Sequence, residues 1–252
     1  MAIAAEHGFL QRSEPLAGQR AGASRYFFVA LGAFYALVAI LGFTPSYLHY
    51  LADIHWFAHV HGGLMSAWLL LYITQSSLAA SGSLRLHRKL GLGGIWLGAL
   101  IWLSMCTVSV RVRLAFSPAV DSFLWDVLLI ELLNIVLLPI FVTWGFLARR
   151  EPRTHKRLMV FSMAVPLQAA IDRIRWLPDF GLPNHWDADA YVYGLLLPLL
   201  VFDLVSSGRI QRVTWIGITA LFAGHVAVNL LWGAPLWPSI RVRPVQRVAV
   251  GN

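Results

Sequence analysis

Residues 123–148 read FLWDVLLIELLNIVLLPIFVTWGFLA, an apolar run broken only by Asp126, Glu131 and Asn134. As a helix rising about 1.5 Å per residue, this run is longer than the ~30 Å hydrocarbon layer of a bilayer. Continuous apolarity also suits a buried parallel strand, but a run of this length favours a helix. Six further stretches have the same character: Tyr26 to Phe43, Trp56 to Ala80, Leu90 to Val110, Leu158 to Leu177, Tyr191 to Ser207 and Val213 to Gly233. The pattern predicts an all-α, polytopic membrane helix bundle of about seven transmembrane helices over residues 26–233. A cytoplasmic N-terminal tail (1–25) and an extracytoplasmic C-terminal tail (234–252) flank it. The first apolar run has no small-residue cleavage site after it, so it reads as a retained helix and not as a signal peptide.

Composition supports this assignment. The 252 residues are 58% apolar and 13% charged, with a mean hydropathy of +0.65. Soluble chains carry roughly 25% charged residues, so half of the usual solvating surface is missing. One cysteine, Cys106, excludes a disulfide scaffold, a cysteine-ligated iron–sulfur protein and a zinc ribbon. It lies in an apolar run and reads as a small core residue.

Charge then sets orientation, because cytoplasmic loops retain Lys and Arg. An N-terminus on the inside places thirteen of the twenty basic residues there, among them Arg85, Arg88, Lys89, Arg149, Arg150, Arg153, Lys156, Arg157, Arg209 and Arg212. The other face receives Arg111, Arg113, Arg173 and Arg175, with Arg241, Arg243 and Arg247 in the tail. The prediction is N-in and C-out, in a bacterial cytoplasmic (inner) membrane. A net charge of +8 and a pI near 10.2 invite a nucleic-acid reading. The basic residues are spread over short loops, however, so they set topology and meet anionic lipid; no nucleic-acid partner is expected.

Two sets of histidines stand out. His87-Arg88-Lys89-Leu90 opens the third apolar run and His155-Lys156-Arg157-Leu158 opens the fifth. The hairpin of spans two and three thus reads as duplicated in spans four and five, giving a four-helix core of two repeated hairpins. Two imidazoles at one membrane depth on related helices are what a single bis-histidine haem requires. Without a Cys-x-x-Cys-His motif, such a haem would be noncovalent and of b type. A His beside basic residues at a cytoplasmic helix start is equally what a topology signal looks like.

The outer set is His55-Trp-Phe-Ala-His59-Val-His61-Gly62-Gly63. His55 and His59 share a helix face, whereas His61 points about 200° away from His59. All three cannot ligate one metal from a regular helix. Gly62 and Gly63 would allow close approach of a porphyrin, and an interfacial belt of Trp56 and imidazoles is the plainer alternative.

Ionisable groups within spans cost at least about 2.5 kcal/mol each at the bilayer centre and therefore mark function or pairing. Here they are Asp126 and Glu131 with Asn134, Asp172 with Arg173 and Arg175, Asp203, and His225 with Asn229. Asp172 and Arg173 are expected to pair with each other or with Asp126 or Glu131 in a buried charge network. Since span four has no outer histidine, a second haem would need His59 or His61 together with His225.

The repeated His-basic-basic-Leu starts, the His-Gly-rich helix before them, and the stretch His155-Lys-Arg-Leu-Met-Val-Phe-Ser-Met-Ala followed by Ala169-Ala170-Ile171-Asp172-Arg173 resemble an uncharacterised family of bacterial multi-pass predicted membrane proteins. The likeness covers spans two to five, about half of the chain, on short motifs. That family has no firmly known activity and so supplies a pattern without a function. More distantly, histidines on a four-helix repeat are similar to the transmembrane bis-histidine b-type cytochromes, which move electrons between quinol or ascorbate and an acceptor. In this resemblance His87 and His155 match in depth, and the outer histidine expected in span four is missing.

Three functions follow as expectations. The first is a redox protein with one or two b haems held by His87 and His155, and by His59 or His61 with His225. It would have a quinone or other redox partner, and Arg88 and Arg157 would offset propionate charge. The second is a membrane hydrolase with zinc on His55, His59, His61 or His225 and with Asp126, Glu131 or Asp172 as general base. The third is a scaffold subunit without cofactor that packs against other membrane subunits. A transporter stays open as a reading, but no convincing inverted repeat is present; the repeat here is parallel, since both His-led helices start inside.

Overall fold

The computed structural model of the chain describes residues 14–115 and 122–233, with side chains placed over 25–111 and 126–233. The C-terminal tail, and the N-terminal one up to residue 13, lie outside the described residues. The elements are α1 (Glu14–His49), α2 (Trp56–Ala80), α3 (Leu84–Ala115), α4 (Ser122–Leu147), α5 (Pro152–Ala164), α6 (Gln168–Ile171), α7 (Trp186–Ser207) and α8 (Arg212–Leu231). The helix of the first span begins at Glu14, within the expected tail, and its apolar portion runs Arg25–His49. Among the described residues there is no strand.

Six helices are long and apolar enough to cross a membrane: α1, α2, α3, α4, α7 and α8. Their outer surfaces are apolar: Trp96 and Leu230 are 76% exposed and Val205 is 83% exposed. A surface of this kind suits lipid, not water.

The seventh expected span, Leu158 to Leu177, is not a single long helix. Residues 165–167 form a 3-10 turn between α5 and α6, and after Ile171 the chain leaves helical geometry. The 3-10 turn falls at Pro166, which has no N–H for the carbonyl one turn back and whose ring crowds that carbonyl. The broken segment is nevertheless the centre of the molecule. Leu158, Val160, Phe161, Met163, Ala164, Val165, Leu167 and Ala170 are all buried. It touches α1, α4, α7 and α8, while the α2–α3 hairpin closes the bundle against α1 and α4. The α2–α3 and α4–α5 hairpins lie side by side through α3 and α4, and α1 packs on both α2 and α6.

Small residues and prolines settle these contacts. A Cβ on Gly42 of α1 would stand 2.2 Å from the Ala170 carbonyl oxygen, and one on Gly217 of α8 would stand 2.4 Å from the Phe161 ring. Pro139 deprives the Ile135 carbonyl of its helical donor, and Trp102 Nε1 on α3 donates to that oxygen at 3.0 Å.

The contact at Gly42 is with backbone, which cannot swing aside. Gly42→Ala should therefore destabilise by about 1–3 kcal/mol, whereas Gly63→Ala, where a Cβ meets nothing within 4 Å, should not. Thermal unfolding of both variants in detergent reads the difference; equal midpoints would refute the α1–α6 packing.

Candidate functional site

Polar side chains gather at the two ends of the bundle. The end carrying the basic loops is organised by His155, Lys156 and Arg157, which leave α5 at steps of about 100°. Arg157 points to α7. Its Nε and Nη2 both donate to Asp203 Oδ1, the former at 2.8 Å, and its Nη1 donates to the Arg153 carbonyl at 2.7 Å. Asp203 Oδ2 accepts from Thr214 Oγ1 (2.7 Å) and from the Gln211 amide (3.0 Å). Both charged residues are buried and fully bonded, so Arg157 ties α5, α7 and α8 together and is not directed to a propionate. Lys156 Nζ lies 4.7 Å from the Phe28 ring centre and 5.2 Å from that of Phe202, joining α1 to α7.

His155 points the third way, to α4 and α3. Its Nδ1 donates to the Gly145 carbonyl at 2.7 Å. Gly145 itself packs under α5, where a Cβ would stand 2.2 Å from Met159 Cε and 3.4 Å from Leu158 Cβ. His87 repeats the arrangement, its Nδ1 donating to the Gln75 carbonyl at 3.2 Å. Each carbonyl fixes the proton on Nδ1 and leaves the lone pair on Nε2. The two rings, expected to pair from the sequence repeat, have centres 6.2 Å apart and planes at 89°. Arg88 is exposed, with its Nε donating to the Leu84 carbonyl at 3.2 Å.

The opposite end holds a network centred on Asp189, in the first turn of α7 and 0% exposed. It accepts from Gln168 Nε2, from Asn229 Nδ2 at 2.7 Å, and from His185 Nδ1 at 3.2 Å. His185 Nε2 reaches Asp172 at 3.2 Å, and the His185 amide donates to Asn229 Oδ1 at 2.9 Å. Tyr193 Oη lies 2.8 Å from His225 Nδ1, which is also 3.6 Å from Asp189. Because tyrosine and carboxylate face the same ring nitrogen, His225 cannot relay a proton through its ring as a catalytic triad does. The network joins α6, the loop before α7, α7 and α8.

Several expected groupings do not form. Asp172 makes its ion pair with His185, while Arg173 stays within electrostatic reach of Asp172 and Glu131 without a direct bridge, its guanidinium 5.0 Å from the Phe43 ring centre. Asp126 accepts from the Gly233 amide at 3.0 Å, and Glu131 is half-buried on α4. His59 bonds Tyr47 on α1 and His61 bonds Ser104 on α3, each at 2.9 Å. Neither meets His225, because α2 packs on α1 and α3 while α8 packs on α4, α5 and α7. His55 is exposed and stacks on Phe57. Among the described residues, no three His, Cys, Asp or Glu side chains converge as a zinc site requires. Gln168, Asp189 and Tyr193 were not anticipated from sequence. No known protein family, characterised protein or solved structure matches this chain.

Two tests follow from this geometry. Asp203→Ala strands the buried Arg157 charge and should cost about 3–5 kcal/mol, whereas Arg157→Met with Asp203→Leu should recover most of the loss. Thermal unfolding of the three proteins checks it, and a double variant no better than the single one would contradict the pairing. For His185, burial pushes the pKa down, but the hydrogen bonds and charges of Asp172 and Asp189 outweigh it and raise it to about 9. A folded value above the unfolded one, near 6.5, means stability that is fully present below about pH 6.5 and lost as pH rises through 9. The unfolding midpoint of the native chain should fall more steeply between pH 7 and 10 than that of His185→Gln; parallel profiles would contradict the assignment.

Proposed function

We propose that the chain is an integral membrane redox protein that holds one b-type haem between His87 and His155. The observation that carries this reading is the pair itself: two imidazoles on separate helices, each with Nδ1 tied to a backbone carbonyl, 6.2 Å between centres. Two imidazoles that share one metal atom through Nε2, with bonds of about 2.0 Å, have ring centres roughly 6 Å apart. The perpendicular planes keep the two rings clear of each other. Two neutral ligands suit haem iron, whose porphyrin supplies the other four nitrogens, better than zinc, which takes three or four protein ligands.

When bound, the haem supplies one-electron transfer. His87 and His155 would hold it, and with both imidazoles committed to the group it would supply electron transfer in preference to chemistry on a bound substrate. A lipid-soluble quinone or a neighbouring redox subunit is the class of partner that such a site serves. The basic loops support an orientation with the pair toward the cytoplasm of a bacterial inner membrane. Arg157 meets the C-terminal end of α7 and Gln168 meets its N-terminal end. The broken α5–α6 segment therefore runs antiparallel to α7, which favours a seventh pass and a C-terminus outside.

Protein purified from haem-replete cells should be red, with a b-type reduced-minus-oxidised spectrum and one haem per chain. His87→Ala and His155→Ala should abolish the spectrum, while His59→Ala and His61→Ala should leave it intact. A colourless, folded wild-type preparation would overturn the reading.

A further inference from the structure

The segment between α6 and α7 is fastened to the bundle in two different ways. Residues 178–184 are exposed, and their contacts lie at the surface. The Phe180 and Leu182 amides donate to Asp187 Oδ1 at 3.2 and 3.3 Å, Tyr191 Oη donates to the Pro178 carbonyl at 2.6 Å, and the Phe180 ring stacks on that of Tyr191. Bonds of this kind, open to water, resist local opening weakly. At the C-terminal end of the segment the fastening is deeper. The His185 amide donates to Asn229 Oδ1 at 2.9 Å, and Asn184 Nδ2 donates to the Asn229 carbonyl at 3.0 Å. Asn184 stands there in the left-handed conformation, with φ of 58°, which asparagine tolerates better than most residues.

The His185 ring closes this end. Its Nε2 faces Asp172 Oδ1, just past α6, and its Nδ1 faces Asp189 Oδ1 on α7, each at 3.2 Å. A neutral imidazole carries one N–H and can donate to one acceptor only; carboxylates on both ring nitrogens call for the imidazolium. Exposure falls across this clip from 30% for the Asp172 side chain through 12% for His185 to 1% for Asp189. The ring is thus the charged group between water and a buried carboxylate. Around it, Gln168 of α6 donates to the same Asp189 oxygen, and His225 Nδ1 of α8 lies 3.6 Å from that oxygen. Arg173 is within electrostatic reach of Asp172, and the Trp232 ring centre is 4.9 Å from that of His185. Asp179 and Asp187 meet the exposed part of the segment instead.

We propose that residues 178–185 form a strap that is latched by protonated His185 and released when the ring gives its proton to the aqueous phase at this end of the bundle. Whichever nitrogen loses the proton, one carboxylate is left without its donor and the charge that attracts both is gone. What then holds the strap is Asn229 and the surface bonds. Leu182 and Pro183 of the strap, with Trp186, Ala190, Tyr193 and Phe222, line a cavity of about 320 Å³ beside α7 and α8, so release widens that cavity towards water. The helices do not have to part, because Gln168 and Asn229 still meet Asp189 from α6 and α8. The latch does not depend on a haem at the histidine pair.

Hydrogen–deuterium exchange of the full chain in detergent, corrected for the intrinsic pH dependence of exchange, reads the latch at the Phe180, Leu182 and His185 amides. A ring with a pKa of about 9 when latched and near 6.5 when free contributes stability that is fully present below about pH 6.5 and lost as pH rises through 9. The opening constant of the strap should therefore climb about tenfold per pH unit across that interval and then level off, while amides in the middle of α4 and α8 stay protected. His185→Gln should open, at every pH, to the level that the native chain reaches at high pH. Asp172→Asn, a change at the partly exposed side of the clip, should move the rise to lower pH, and it remains informative if His185→Gln fails to fold. In a Cys106→Ala background, Ala190→Cys should gain reactivity toward a charged thiosulfonate over the same interval, beyond the change that glutathione shows. An opening constant independent of pH in the native chain, or one that rises alike in native and variant proteins, would overturn the proposal. So would strap amides that exchange only together with those of α4 and α8, or unchanged thiol reactivity at position 190.

Discussion

Hydrocarbon offers no hydrogen bonds, so every polar group carried into the bilayer has to be met from inside the bundle. Much of the architecture follows from that constraint. Pro139 frees a carbonyl and an indole on the next helix meets it. Asp203 brings a charge below the surface, and a guanidinium, a threonine hydroxyl and a backbone amide converge on it. Asp189 is enclosed by an amide from α6, another from α8 and an imidazole, with the N-terminal end of α7 adding a favourable dipole. These contacts cross between elements distant in sequence. They therefore hold the bundle together where apolar packing alone discriminates poorly, since lipid tails are as apolar as leucine.

The His155-Lys156-Arg157 step shows the same constraint acting on consecutive residues. On a helix surrounded by others, three neighbours facing three directions must each find a different partner, and they do: a carbonyl of α4, two rings from α1 and α7, and the carboxylate of Asp203. On α3 the parallel run His87-Arg88-Lys89 lies at the edge of the bundle, and Arg88 and Lys89 face outward. The two halves of the repeat thus share only the histidine. The shared position is the one on which the proposed haem site rests, and the divergent ones reflect burial.

This difference explains how far the sequence could be read. Six helices were legible because length and continuous apolarity need no tertiary information. The fifth apolar run was also legible as a buried segment, but not as a broken one. Pro139 and Pro198 leave their helices continuous, and whether Pro166 does so depends on what surrounds it. The inner histidine pair was legible because a repeat carries register and hence depth. The outer network was not, because it depends on the loop between α6 and α7 folding back to place His185 between Asp172 and Asp189. In sequence, Asp189 resembles any acidic residue in a first helical turn. Pairing His59 or His61 with His225 failed for a related reason: depth can be read along a chain, whereas the neighbour of each helix cannot.

The two polar ends also differ in how completely they are satisfied. Both carboxylates, Asp189 and Asp203, are met on each oxygen by donors of the chain itself, which leaves them little to offer a ligand. Around His87 and His155 the matching is one-sided: Nδ1 is bonded and Nε2 keeps its lone pair, and on the adjoining α2 Trp68 Nε1 and the Gln75 amide are buried without a hydrogen-bond partner. This contrast is what favours the histidine pair as the place of the proposed haem, whereas the contacts of Asp189 join α6, α7 and α8.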